Sequence, residues 1–357
     1  MIPAGKKLRI ALLFGGRSAE HEISLLSAAA IYRHLDKNKY ETVSIYLPRH
    51  GEWKIVSSPL LKLAELEKGQ TFSFLPWELA SGRSALKADI YFPVLHGPYG
   101  EDGTIQGLLD LAGVPYIGAG VLASALGMDK VAMKAAFAAY NLPLLKYLHF
   151  LETEWRRKAK ELAAEVRSTF TLPLFIKPAN LGSSVGITKV KDWTELEKAV
   201  ERALLYDRKI IVEEGIPARE IECSVLGNDE PRASLPGEVI PYREFYDYQD
   251  KYIEGKTAFK IPAELSSSAI AEVQGLSIKA YKAIDCSGMA RVDLFLDRRT
   301  GNFYVNEINT IPGFTEISMY PKLWEVSGLS FPQLLDELIS LGLERHEKKK
   351  RCLTVNP

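Results

Sequence analysis

Short apolar runs and helically spaced apolar residues alternate along the first third of the chain. The runs at 8–14, 40–47 and 89–95 are short and β-rich, which predicts three strands. Between the first two, apolar residues recur at helical spacing from Ile23 to Ile31, and Ser18 is the predicted helix cap. Strands alternating with helices predict a parallel sheet covered on both faces, with ligands at the carboxyl ends of its strands. Gly15-Gly16 and His96-Gly97 lie at such ends.

A second unit is predicted to begin near Gly118 and Gly120. Its predicted helices span 129–140, 152–166 and 192–205, and its predicted strands span 172–178, 185–190 and 209–212. The first two strands flank the small-residue loop Asn180–Gly186, which indicates a hairpin.

The last third contains a strand at 219–226 whose alternation is typical of a half-buried strand. A helix at 266–285, a hairpin from strands 289–296 and 302–307, and a closing helix at 330–343 follow. Residues 242–262 are polar and aromatic, and long loops of this kind are often functional lids. We therefore predict three domains, at 1–120, 121–213 and 214–357, with the loop 242–262 as a lid.

Composition narrows the class of protein. The chain has 357 residues, 46% of them hydrophobic, which excludes wholesale disorder and exceeds the length of one typical domain. The 45 Lys and Arg residues balance 45 Asp and Glu, so net charge gives no reason to expect a nucleic-acid or membrane partner. The basic block Lys348–Arg351 is interpreted as a solvated terminus.

The cysteine pattern argues against a disulfide scaffold, and the hydropathy pattern argues against a membrane span. Cys223, Cys286 and Cys352 are widely spaced and odd in number, which favours reduced thiols in a cytoplasmic protein over a disulfide scaffold. No apolar run approaches the roughly 18 residues that a membrane span needs.

The most informative polar residues lie on the predicted hairpin of 289–307. Strand alternation puts Arg291 and Asp293 on one face of the first strand, and Glu307 and Asn309 on one face of the second. Two carboxylates and an amide oxygen suit Mg²⁺, which commonly binds through carboxylates and substrate phosphates. A polar, solvent-facing side of a hairpin is the alternative, and the pattern alone does not decide between them.

Other groups could hold phosphates or an amino acid. Lys130, Lys177 and Lys251 are point charges suited to phosphate oxygens, and the Gly182–Gly186 loop could cover them. Glu20, just past a strand end, is placed to hold an ammonium, and His96 could orient a carboxylate. Each has an ordinary alternative, as a surface lysine, a hairpin turn, a helix-dipole carboxylate or a structural histidine.

Taken together, the sequence blocks that contain these residues resemble the D-alanine–D-alanine ligase family of the ATP-grasp superfamily. The blocks that carry the resemblance run in the family's order from residue 15 to about residue 330: GGRSAEHEISLLSA, VLHGPYGEDGTIQG, ASALGMDK, FIKPANLGSSVGITKV, VEEGIPAREIECSVLG, FYDYQDKY, ARVDLF and NEINTIPGFTEISMYPKLW. A variable segment at 57–87 and the basic tail depart from it. The resemblance implies an α/β, three-domain ATP-grasp fold, with an N-terminal Rossmann-like domain and two α+β domains that hold ATP between them.

The resemblance also implies roles for individual residues. ATP would be bound by Lys130, Lys177, Ser184, Glu213, Glu214, Ile216 and Glu220. Two Mg²⁺ ions, or Mn²⁺ in their place, would be bound by Asp293, Glu307 and Asn309. The first substrate would be bound by Glu20, Ser183, Tyr252 and His96, and the second by Ser318 and Met319. Arg291 and the Gly313 N–H would stabilise the oxyanion, and Lys251 would reach the transferred phosphate.

The resemblance implies an ATP-dependent ligase that joins two D-alanines through a D-alanyl phosphate in peptidoglycan precursor synthesis. We expect it to be a cytoplasmic homodimer that binds neither nucleic acid nor membrane. Three alternatives stay open: a D-alanine–D-lactate ligase, another ATP-grasp carboxylate–amine ligase, and a nucleotide-binding regulator without catalysis. The sequence Asp250-Lys251-Tyr252 in the lid loop matches the dipeptide-forming type.

Overall fold

Three β-sheets organise the computed structural model, which describes residues 7–73, 87–182, 185–240 and 258–351. The helices are α1 His21–His34, α2 Leu63–Leu66, α3 Thr104–Leu111, α4 Val121–Met128, α5 Lys130–Ala139, α6 Glu152–Thr169, α7 Leu196–Leu204, α8 Ser267–Ala283, α9 Met319–Val326 and α10 Phe331–Arg351. The strands are β1 Leu8–Gly15, β2 Tyr40–Leu47, β3 Trp53–Val56, β4 Gln70–Phe72, β5 Ile90–Val94, β6 Tyr147–Leu151, β7 Leu174–Pro178, β8 Thr188–Val190, β9 Lys209–Glu214, β10 Ala218–Gly227, β11 Arg232–Ala233, β12 Gly237–Ile240, β13 Ala258–Lys260, β14 Gly288–Asp297 and β15 Phe303–Asn309.

The first sheet has the order β4-β3-β2-β1-β5, and β1 pairs in parallel with both β2 and β5. This confirms the predicted parallel pairing, to which β3 and β4 add an antiparallel edge. The predicted cap of α1 is wrong. The helix begins at His21 with Glu20 at its N-cap, whereas Ser18 Oγ donates to the His96 carbonyl and accepts from the Glu20 N–H. Gly15 and Gly16, both with positive φ, prolong the turn before the helix.

The second sheet, β6-β9-β7-β8, is antiparallel, and helices α6 and α7 pack against it. The predicted hairpin is confirmed as β7 and β8, although β8 begins at Thr188 rather than residue 185. The predicted helix at 192–205 begins with a 3-10 turn, Trp193–Glu195, where the Asp192 side chain accepts from the Thr194 N–H.

The third sheet has the order β13-β12-β10-β14-β15, with β11 paired to β10. The predicted hairpin is confirmed, and its register places Arg291 opposite Asn309 and Asp293 opposite Glu307. The half-buried character predicted for 219–226 is wrong, because Glu222 is 5% exposed and Ser224 is fully buried. Helix α9 covers that face, and Ser224 Oγ donates to the Tyr320 carbonyl.

The hydrophobic cores do not follow the predicted domain limits. Met133 and Phe137 of α5 pack into the core of the third sheet, whereas Phe314 and Trp324 pack with Phe14 of the first sheet. Residues assigned to one predicted domain therefore pack into the core of another, and the division into three domains stays a prediction.

The basic block near the C-terminus is part of a helix. Helix α10 extends to Arg351, beyond the predicted end at Leu343. Lys348 pairs with Asp229 at 2.7 Å, and Lys349 pairs with Asp110 at 2.8 Å. The side chains of Lys348 and Lys349 are nevertheless 42% and 64% exposed, so the block is solvated as interpreted, and it also pairs with Asp229 in a loop and with Asp110 in α3.

Candidate active site

Arg291 lies at the centre of a charged cluster on β14. Its Nε and Nη2 donate to the two carboxylate oxygens of Asp293 at 2.7 and 2.6 Å, and its Nε is 3.0 Å from Glu222 Oε2. Burial lowers the pKa of Arg291, but Asp293 and Glu222 outweigh it and raise the pKa well above its ordinary value. The guanidinium is therefore permanently charged and oriented by two carboxylates.

The adjacent strand β15 supplies the other predicted metal ligands. Asn309 Nδ2 donates to Asp293 Oδ2 at 3.0 Å, which directs the amide oxygen of Asn309 away from that carboxylate. Glu307, opposite Asp293 in the register, lies 3.7 Å from Lys130 Nζ. The structure thus brings the three predicted ligands together at one end of the hairpin, as the register requires.

A cleft of about 470 Å³ lies between the second and third sheets. Its walls include the six described residues that were predicted to bind ATP, namely Lys130, Lys177, Glu213, Glu214, Ile216 and Glu220. Asp293 and Glu307 line the same cleft at its hairpin end. Lys130 Nζ donates to the Leu181 carbonyl at 2.8 Å, which holds this ammonium at the start of the small-residue loop 180–186, named here the Gly/Ser loop.

Glu213 is a buried carboxylate of this cleft with an ammonium beside each of its oxygens. Its Oε1 is 2.5 Å from Lys134 Nζ, and its Oε2 accepts from Lys177 Nζ. Burial raises the pKa of Glu213, but the two lysines outweigh burial and lower the pKa to about 2. Glu213 is therefore ionised at neutral pH despite being buried.

A second cavity, of about 360 Å³, lies between the first and third sheets. It is lined by the described residues predicted to hold the two amino acids, Glu20, His96, Ser318 and Met319, and by the two predicted to stabilise the oxyanion, Arg291 and Gly313. We name this space the amino-acid cavity and the first one the nucleotide cleft, after the ligands predicted for their residues. Glu222 and Glu307 line both spaces. The two spaces therefore meet at the charged hairpin.

The Glu20 carboxylate is enclosed by close backbone. A Cβ added at Gly97 would lie 2.8 Å from Glu20 Oε2, and one at Gly182 would lie 3.2 Å from it. Gly97 also has a φ of +73°, a conformation that glycine adopts without strain. A side chain at position 97 would thus displace Glu20.

His96 holds two distant segments together. Its Nδ1 lies 3.1 Å from the Ile311 carbonyl oxygen, which can only accept, so Nδ1 carries the proton. Its Nε2 lies 3.1 Å from Ser27 Oγ and accepts from it. Burial lowers the pKa of His96, which agrees with a neutral ring. Both nitrogens are thus engaged by the protein, so His96 secures the Ile311–Gly313 loop in addition to lining the cavity.

Ser318 is the N-cap of α9 and lies at the wall of the amino-acid cavity. Its Oγ accepts from the Thr315 N–H at 3.0 Å and lies 2.7 Å from Thr315 Oγ1. A Cβ at Gly313 would lie 2.7 Å from the same oxygen, so the predicted oxyanion backbone and the Ser318 hydroxyl are adjacent. Met319 is buried with Val239 and Leu323 and forms an apolar wall.

Some predicted site residues cannot be placed. Ser183, Ser184, Lys251 and Tyr252, with the lid loop up to residue 257, lie outside the described residues. Conversely, the structure places Glu222 and Glu101 in the walls of these spaces and Lys134 behind Glu213, and sequence reasoning missed all three. Glu101 accepts from the Gly97 N–H at 2.8 Å and lines the amino-acid cavity; its position within HGPYGEDG was the available signal.

Two family models match nearly the whole chain. Residues 9–119 match the N-terminus of D-ala D-ala ligase, and residues 136–340 match its C-terminus. The chain belongs to the D-alanine–D-alanine ligase family.

Members of this family from other organisms are similar over their full length. The D-alanine–D-alanine ligase of Heliobacterium modesticaldum is 49% identical, with 98% of each chain covered. That of Bacillus licheniformis is 47% identical, with 97% of this chain and 98% of the relative covered.

Solved structures of the family share the fold. The D-alanine–D-alanine ligase from Coxiella burnetii is 39% identical, with a TM-score of 0.84 and 97% of both chains covered. The VanG D-Ala:D-Ser ligase from Enterococcus faecalis is 37% identical, with a TM-score of 0.81, and 94% of this chain and 100% of that chain covered. These likenesses confirm the predicted ATP-grasp fold.

The hairpin of this D-alanine–D-alanine ligase family member fits Mg²⁺ by its donor chemistry. Within the described residues no group of three or more His, Cys, Asp or Glu could hold a metal ion, and the hairpin offers two carboxylates and one amide oxygen. Such an incomplete oxygen set suits Mg²⁺, which keeps waters and takes substrate phosphates as further ligands.

In the part of the chain that the structure describes, no helix is both long and apolar enough to cross a membrane.

Proposed function

We propose that the chain is an ATP-dependent ligase that joins two D-alanines into D-alanyl-D-alanine, for peptidoglycan precursors, through a D-alanyl phosphate. The observation that carries this proposal is the meeting of the nucleotide cleft and the amino-acid cavity at Glu222 and Glu307. An amino-acid carboxylate in one space can therefore approach the terminal phosphate of a nucleotide in the other.

The chemistry requires activation of a carboxylate, because its oxygen is a poor leaving group. Transfer of the terminal phosphoryl group of ATP to the D-alanine carboxylate gives an acyl phosphate and ADP, mainly by positioning and charge neutralisation. In this proposal Lys130 and Lys177 hold the phosphates. The amine of the second D-alanine then attacks the acyl carbonyl, loses a proton, and displaces inorganic phosphate.

Arg291 and the Gly313 N–H are proposed to stabilise the tetrahedral oxyanion. Preoriented donors of this kind contribute on the order of 3 kcal/mol each. Both line the amino-acid cavity, and the Asp293 and Glu222 carboxylates fix the direction of the guanidinium. Glu20, enclosed by Gly97 and Gly182, is proposed to hold the ammonium of the first D-alanine.

Mg²⁺ is proposed to be held by Asp293, Glu307 and Asn309. When bound it neutralises phosphate charge and orients the transferred group. Lys130, 3.7 Å from Glu307, adds a protein charge at the same end of the cleft. Mn²⁺, with similar ligand preferences, is expected to substitute.

The second substrate could also be D-serine, as the name of one solved relative indicates for that protein. A cavity wall formed by Met319 rejects an added hydroxyl only weakly. D-lactate is the other competitor, and Lys251 and Tyr252, the sequence features that favour the dipeptide, lie outside the described residues.

The remaining proposals concern the domains, the oligomeric state and the cellular location. The order of the three sheets along the chain supports three domains at 1–120, 121–213 and 214–357, whereas Met133 and Phe137 pack into the core of the third sheet from outside its domain. A homodimer in the cytoplasm stays a prediction, which light scattering on the purified protein and cell fractionation can check.

Phosphate release tests the proposed activity. Purified protein with ATP and Mg²⁺ should release phosphate with D-alanine and not with L-alanine, and mass spectrometry should detect the dipeptide. Parallel reactions that contain D-serine or D-lactate as well as D-alanine should yield mainly D-alanyl-D-alanine. Equal rates with the two alanine enantiomers would contradict the substrate assignment.

A further inference from the structure

A second lysine lies behind the nucleotide cleft, one helical turn after Lys130. Lys134 Nζ is 2.5 Å from Glu213 Oε1, and the two side chains are 2% and 3% exposed. Among the described residues, the cleft wall includes Lys130, Lys177 and Glu213 but not Lys134. The Lys134 ammonium therefore acts on the cleft only through Glu213.

The helix explains why two lysines of α5 have different surroundings. Residues four apart lie on the same side of a helix, so Lys130 and Lys134 leave α5 in similar directions. Lys130 Nζ donates to the Leu181 carbonyl beside the Gly/Ser loop, whereas Lys134 Nζ lies against Glu213 and 5.7 Å from the Tyr147 ring centroid. A buried ammonium is costly unless it is paired, and an apolar residue would fill the same space at lower cost. A purely space-filling role does not account for a lysine here.

The balance of charges around the Glu213 carboxylate indicates what Lys134 does. Glu213 is bound by one ammonium at each carboxylate oxygen, Lys134 at Oε1 and Lys177 at Oε2. Lys177 borders the cleft, and phosphate oxygens attract its ammonium when a nucleotide binds. Without Lys134, a shift of Lys177 towards phosphate would leave a buried carboxylate unpaired, which is strongly unfavourable.

We propose that Lys134 is a positioning residue for the nucleotide. It holds Glu213 in place and ionised, so that Lys177 can engage phosphate while the Glu213 carboxylate accepts hydrogen bonds from the base or ribose. The inference rests on the proposed function, because it requires that the cleft binds ATP. Lys134 itself has no contact with the nucleotide.

Calorimetric ADP binding to the full chain tests this role through Lys134→Met. Loss of one partner of a buried charge pair should raise the Kd for ADP about tenfold or more. The KM for ATP should rise in parallel, whereas the KM for D-alanine should not change. Lys134→Arg keeps the charge and should restore most of the affinity. Lys198→Met, which removes an exposed lysine on α7, is the matched control and should bind ADP normally.

A double variant separates positioning from folding. If Lys134 acts through Glu213, then Lys134→Met combined with Glu213→Gln should bind ADP no more weakly than Glu213→Gln alone. This double variant has no unpaired buried carboxylate, so it should fold even if Lys134→Met does not. Additive losses in the double variant would overturn the inference.

The outcomes also separate the inference from the proposed function. Failure of the unaltered protein to bind ADP would refute the proposed function itself. If the unaltered protein binds ADP and a folded Lys134→Met variant binds it equally well, only the role of Lys134 is wrong. Circular dichroism and the thermal midpoint establish the folded state of each variant.

Discussion

Arg291→Lys gives a sharp test of the proposed oxyanion site. The arginine makes two parallel bonds to Asp293, at 2.7 and 2.6 Å, and its Nε lies 3.0 Å from Glu222 Oε2. A lysine keeps the positive charge but has a single nitrogen, so it cannot reproduce the planar fork. The variant therefore changes donor direction while preserving net charge.

Two magnitudes follow from this geometry. Loss of one oriented oxyanion donor should lower kcat roughly 10²- to 10³-fold. Loss of one charge-assisted bond to the partly buried Asp293 carboxylate should lower the free energy of unfolding by about 1.5–3 kcal/mol, a loss the fold should survive. The variant should consequently be folded, slightly less stable and nearly inactive.

Steady-state ADP release at saturating substrates measures kcat, and thermal unfolding measures stability. Arg299→Lys is the matched control: Arg299 follows β14 in the same hairpin and is 68% exposed, 3.7 Å from Asp297. It should leave kcat and the thermal midpoint nearly unchanged. A folded Arg291→Lys variant with kcat within about threefold of the unaltered protein would refute the oxyanion role.

Three further predictions follow from the same site. Glu307→Gln should lower phosphate release at least about a hundredfold at ordinary Mg²⁺. The variant should lose little stability, because the ion pair of Glu307 with Lys130 is partly exposed. Near-normal turnover would show that the metal site lies elsewhere. Gly97→Ala should raise the KM for D-alanine about tenfold and leave that for ATP unchanged, since the new Cβ would displace Glu20; an unchanged KM would remove Glu20 from the substrate site. Because burial lowers the pKa of His96 from 6.5, the unfolded chain binds a proton that the folded chain rejects, and stability falls as pH drops below 6.5. His96→Gln should flatten that fall in the thermal midpoint, and an identical pH slope would contradict the neutral ring.

The sequence predicted those features that depend on local periodicity. Short apolar runs predicted the three parallel strands β1, β2 and β5 of the first sheet, but not β3 and β4. Alternation along the strands of the hairpin that joins β14 to β15 predicted that Asp293 and Glu307 lie close together. The family resemblance supplied sets of residues for ATP and for the amino acids, and the described members of each set line one of the two cavities.

Features set by distant packing could not be predicted in this way. Glu222 alternates like a solvent-facing residue, and only the docking of α9, about a hundred residues later in the chain, buries that face. His96 is held by Ile311, which is 215 residues away. Lys134 was missed because helical spacing reveals that it shares a face with Lys130, but not that a carboxylate from β9 lies opposite.

Isotope transfer tests the central claim, ligation through an acyl phosphate, most directly. D-alanine labelled with ¹⁸O in both carboxylate oxygens is incubated with ATP, Mg²⁺ and the protein, and the products are analysed by mass spectrometry. Attack of the carboxylate on the terminal phosphorus predicts ADP and inorganic phosphate that carries one ¹⁸O for each dipeptide formed. Unlabelled phosphate, or label in AMP from an acyl adenylate, would contradict the account.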